Sequence, residues 1–118
     1  MEMEMRPVLR LTQQQLAQLI AYCAVYRSYL WQHVMPTPER NQVLREIQAL
    51  QGRFEKSYEQ GQAEIDLPLI EGEKGTIKQM FTGVTQFYGT APSSEQRTQQ
   101  LTELTTLRLV VEQMFRYT

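Results

Sequence analysis

The sequence predicts an all-α fold: an antiparallel up-down-up-down four-helix bundle with an irregular loop at about 61–75. Three observations predict it. Apolar residues recur at spacings of three and four through most of the chain, which is the period of a helix face. Each periodic segment opens on a residue able to cap a helix. Proline or glycine then stops the segment, and the connections are short enough to leave neighbouring helices antiparallel. At 118 residues and 42% hydrophobic composition, residues 1–118 read as a single helical domain whose core needs no metal or disulfide. Residues 1–10 are expected to be a flexible N-terminal segment, and no long internal repeat is read.

The first helix is expected over 12–35. Thr12 can cap it, Gln15 completes a capping box, and Leu11 and Leu16 can staple the turn. Pro36 and Pro38 stop it. The second, over 38–60, has Thr37 as cap, Pro38 at the first helical position and Glu39 at the positive end of the dipole. Its stripe is Val43, Leu44, Ile47, Leu50, Phe54 and Tyr58, and Gly61 ends it. Within 61–75, Ile65, Leu67 and Leu69 alternate with Asp66 and Pro68, which permits a short extended segment; a helix starting after Asp66 is the other reading. The third helix, 76–88, opens on Thr76 with Gln79 and carries Ile77, Met80, Phe81, Val84, Phe87 and Tyr88. The fourth, 94–116, opens at Ser93 or Ser94 and aligns Leu101, Leu104, Leu107, Val111, Met114 and Phe115.

Twelve basic residues against thirteen acidic ones leave a net charge of −1. No global field steers the chain to nucleic acid or to an anionic membrane. Nine of the cations are Arg, so a local anion-gripping site stays open. Cys23 is the only cysteine, which excludes an internal disulfide and a cysteine zinc site. One histidine excludes the paired Glu-x-x-His of a di-iron bundle. No metal or cofactor is expected. Leu19–Tyr26, the longest apolar run, is too short to span a bilayer, and Met1–Pro7 lacks the apolar core of a secretory signal. A cytoplasmic location is the expectation.

Helix one differs from the others. On a helical wheel its apolar residues cover an arc of roughly 200°, against about 100° for an ordinary amphipathic helix. A homodimer through helix one is therefore expected, with Ile20, Tyr22, Tyr26, Tyr29, Leu30 and Trp31 in the seam. The alternative is that the 61–75 loop folds over that face.

Arg27 falls within the apolar arc, where a guanidinium demands a partner. Glu73 falls on the apolar side of helix three if that helix starts early enough, and is the expected partner; a dimer-seam contact or an anion site are the alternatives. Arg27 and His33 also read as Arg-x5-His, which resembles the loose Arg-x4–6-His signature of HEPN-type ribonucleases, themselves helical and often dimeric. That resemblance covers residues 27–33. It implies that His33 moves the 2′-hydroxyl proton while Arg27 stabilises phosphorane charge. Ser28 departs from the polar Asn, Asp or His usual after the Arg. The six-residue step also sets the pair about 120° apart on a helix. The leading expectation is a non-enzymatic protein acting through protein–protein contact, as an adaptor, assembly factor or complex subunit. A nucleic-acid-associated protein is the alternative.

Overall fold

Six elements follow one another in the computed structural model, which describes residues 7–116: β1 (Val8–Thr12), α1 (Gln13–His33), α2 (Pro38–Glu59), β2 (Glu64–Pro68), α3 (Glu73–Gly89) and α4 (Glu95–Arg116). The chain is mostly helical, with four helices where four are expected, and it adds an antiparallel pair of strands. Leu9 lies opposite Leu67, and Leu11 opposite Ile65. Period-two alternation turns these four side chains inward and leaves Arg10, Thr12, Glu64 and Asp66 outside. The expectation of a flexible segment over 1–10 is corrected for residues 8–10: Leu9 is completely buried and tied into the sheet. Residues 1–6 lie outside the described residues. The 61–75 segment is extended at its centre, held by the β1 partner that the alternation alone does not reveal.

Capping chemistry sets most helix starts. The Thr12 hydroxyl accepts the Gln15 N–H at 3.1 Å, and the Gln15 side chain accepts the Thr12 N–H at 3.0 Å. Thr37 accepts the Arg40 N–H at 3.1 Å. Ser94, the one of its two candidates that is used, accepts the Arg97 N–H at 3.0 Å. Helix α3 begins three residues before its expected start. Gly72 turns the chain at φ +89°, a left-handed conformation that favours glycine, and the Glu73 carboxylate takes the Ile70 N–H at 2.7 Å. Thr76 is thus inside the helix, its hydroxyl donating to the Gly72 carbonyl.

Helices α1 and α3 stand at the centre. Helix α1 packs on α2, α3 and β1, while α4 lies on α3 and β1. Leu16, Leu19, Ile47, Phe54, Ile77, Phe81 and Leu104 meet in one core.

The order β-α-α occurs twice, and positions in the helices of the two passes correspond at a constant step. Cys23 meets Met80, 57 positions further on. The same step takes Trp31 to Tyr88, Thr37 to Ser94, Arg40 to Arg97 and Phe54 to Val111. Helices α2 and α4 share Arg-x-Gln-x-Leu-x-Glu-(Ile/Leu)-x-x-Leu, starting at Arg40 and Arg97. The contacts repeat as well. The Arg40 guanidinium lies 5.0 Å from the Trp31 ring centre, and that of Arg97 lies 4.9 Å from Tyr88. Equivalent residues of α1 and α3 meet at the centre: Cys23 Sγ is 3.5 Å from Met80 Sδ, and the Tyr26 ring packs over Gly83. The strands that precede those helices pair with each other, Leu9 facing Leu67. Self-contact of equivalent positions is the mark of a two-fold relation. The expectation of no long internal repeat is corrected accordingly; the halves share helix positions and contacts more than residue types.

Candidate interaction surface

The outer face of the α1–α2 hairpin is where small residues leave room between two helices. Ala17, Ala24 and Ser28 on α1 face α2 across two shallow hollows. One, of ≈320 Å³, is bordered by Arg27, Trp31, Leu44 and Gln48. The other, of ≈270 Å³, is bordered by Ile20, Glu55, Tyr58 and Glu59. Trp31 is 69% exposed there and Tyr58 40%, with Met35 77% exposed just past the helix end. Trp31 is held in place from one side by Arg40. That guanidinium is anchored by Asn41 Oδ1, at 2.9 and 3.2 Å, and by the Val34 carbonyl at 3.2 Å.

The expected seam residues separate into two groups. Tyr22, Tyr26 and Leu30 are buried in the chain's own core, which corrects their assignment to an interface. The wide apolar arc is largely consumed internally, because α1 has α2 on one side and α3 on the other. Ile20 and Tyr29 are half-buried, and Trp31 is on the surface. Tyr22 meets Phe81 edge-on at 6.4 Å. Burial pushes its hydroxyl up to about 12, with Tyr88 and Glu103 adding to the effect. Burial raises the Tyr26 hydroxyl too, with Tyr29 contributing. It also pushes the Cys23 thiol up to about 12, against a lowering by Arg27, so Cys23 stays protonated and is no nucleophile.

Arg27 and Glu73 do not pair. Half-buried Arg27 donates through Nη1 to Gln51 Oε1 at 3.1 Å. Glu73 is buried and bonds the Arg53 guanidinium, which also donates to the Pro68 carbonyl at 2.9 Å. The expected ion pair is corrected: each residue has found a partner on α2. His33 is exposed and packs with Tyr29 at 5.7 Å and Phe87 at 6.1 Å between ring centres. Arg27 thus engages α2 while His33 turns towards α3. Arg40, Arg53 and Arg97 were not singled out from the sequence. The signal that finds Arg40 and Arg97 is the shared α2–α4 motif.

Among the described residues, no helix is long and apolar enough to cross a membrane, and no group of His, Cys, Asp and Glu is placed to hold a metal ion. Comparison of the chain with protein-family models, with curated proteins and with solved structures gives no match.

Proposed function

We propose that this chain is a small helical protein that acts through protein–protein contact, with the outer α1–α2 face as its contact surface and a second copy as one partner. Trp31 carries the reading. An indole 69% exposed, braced by Arg40 and set beside a hollow, is the kind of anchor that dominates interface energies. Half-buried Ile20 and exposed Tyr58 extend the same face. An adaptor, assembly factor or complex subunit uses such a surface. A cytoplasmic location accords with the single unpaired cysteine.

Sedimentation equilibrium tests this at micromolar concentration. The expected result is a dimer that Trp31→Ser weakens by about tenfold, with an unchanged far-ultraviolet spectrum showing that the variant is folded. A single 13.9 kDa species at every concentration overturns self-association.

A further inference from the structure

The two halves share an order of elements and differ in charge. The α1–α2 hollow bordered by Ala17, Glu55 and Tyr58 has its equivalent between α3 and α4, a hollow of ≈440 Å³ bordered by Lys74, Glu112 and Phe115. The step of 57 positions that joins Cys23 to Met80 relates each of these pairs. It also takes Ala21 to Lys78 and Gln51 to Arg108, both on the border of the second hollow. The first hollow therefore offers Glu55 and Glu59 with no cation on its border. The second offers Lys74, Lys78 and Arg108 against Glu112 alone. Arg108 Nε and Glu112 Oε1, 3.0 Å apart, satisfy each other. That leaves two ammonium groups, 5.6 and 6.0 Å from the Phe115 ring centre. Among the described residues, neither lysine shares an ion pair with a carboxylate, and neither Glu55 nor Glu59 pairs with a cation.

We infer that copies of this chain associate with the α1–α2 hollow of one against the α3–α4 hollow of another, Glu55 and Glu59 facing Lys74 and Lys78. This rests on the self-association proposed above and names its second surface. The complement that each hollow needs in charge is present on the other half of the same chain. Complementary charge across a contact sets register and speeds encounter, and like charge brought together there is strongly unfavourable. The contact joins unlike surfaces. Made once, it leaves one hollow of each kind open to a third copy; made twice about a two-fold axis, it closes a dimer.

Two full-length variants test it: Lys74→Glu/Lys78→Glu, and Glu55→Lys/Glu59→Lys. Each carries two hollows of the same sign, so each alone is expected to associate at least about tenfold more weakly than wild type at low salt. An equimolar mixture restores association, because acidic and basic hollows are again both present. That rescue also proves that both variants are folded, as do unchanged far-ultraviolet spectra. High salt weakens wild type and the mixture alike. Variants that associate as wild type does, or a mixture that stays dissociated, overturn this inference while leaving self-association standing. A wild type that is monomeric throughout overturns both.

Discussion

The ring of Tyr26 occupies the space that a side chain on Gly83 would need. A Cβ built there stands 2.6 Å from Tyr26 Cδ1 and closer still to Cε1. The two residues are equivalents in the two halves, a large one and an absent one meeting at the α1–α3 crossing. Gly83→Ala is expected to destabilise the fold by about 1–3 kcal/mol, overriding the gain in helix propensity of about 1 kcal/mol. Thermal melting measures the loss. With Tyr26→Leu added, the combined loss is expected to be smaller than the sum of the two single losses; strict additivity counts against the contact.

The two arginine–aromatic stacks differ in depth. Arg40 is buried and donates to Asn41 and to the Val34 carbonyl as well as covering Trp31. Arg97 is half-buried over Tyr88. Arg40→Ala is expected to cost about 2 kcal/mol and Arg97→Ala about 0.5–1 kcal/mol in urea unfolding. Arg40→Lys does not recover the difference, because an ammonium lacks the planar fork that reaches both acceptors. Equal losses at the two sites sink this ranking.

Glu73 ties the β2–α3 turn to α2. Its carboxylate holds both the Ile70 N–H and Arg53, which in turn holds the Pro68 carbonyl. Glu73→Ala is expected to cost about 1–2 kcal/mol, since it removes the shared acceptor of the Ile70 N–H and of Arg53. Glu73→Gln is milder, because its amide oxygen can still take the Ile70 N–H. Hydrogen exchange localises the effect: the amides of Ile70 and Glu73 speed up first, and unchanged exchange there contradicts the tie.

Alkaline stability follows from Cys23 and Tyr22. The thiol rises from its ordinary 9.0 to about 12 on folding, and the phenol from 10.0 to about 12. Between those limits the unfolded chain releases protons that the folded chain keeps, so raising the pH favours unfolding. Stability from these groups is complete below about pH 9 and is lost progressively from there towards pH 12. Cys23→Ala is expected to delay the onset of the decline to about pH 10, where Tyr22 takes over. Denaturant midpoints across that range check it, and an onset unmoved by the substitution refutes the thiol's part.

Much of the helical architecture is legible in the residues. Thr12 with Gln15, and Thr37 with Pro38, mark their helix starts because capping is local chemistry. Strand β1 is hidden because Val8–Thr12 is short and runs straight into a capping box. The start of α3 is misplaced because glycine, with no side chain, makes the turn before it. A helical wheel places Arg27 on a face, yet it cannot tell that Gln51 of α2 reaches that face. The proposed surface is half legible: the wide apolar arc includes Trp31 and Ile20, which stay at least partly exposed, while Tyr22, Tyr26 and Leu30 go to a neighbouring helix. The duplication escapes because pairs such as Cys23 with Met80 and Tyr26 with Gly83 share a position and not a residue type.

The strand pair sets an order of events in folding. Each helical hairpin closes across a short connection, so α1 can find α2, and α3 can find α4, by local search. The pairing of β1 with β2 and the meeting of Cys23 with Met80 join segments that are distant along the chain, and such closures cost more entropy. The hairpins are thus expected to form early and the seam between halves late. Substitutions in the α2–α4 motif are therefore expected to act mainly on how fast the chain folds, and those along the β1–β2 ribbon on how fast it comes apart, which stopped-flow kinetics measures.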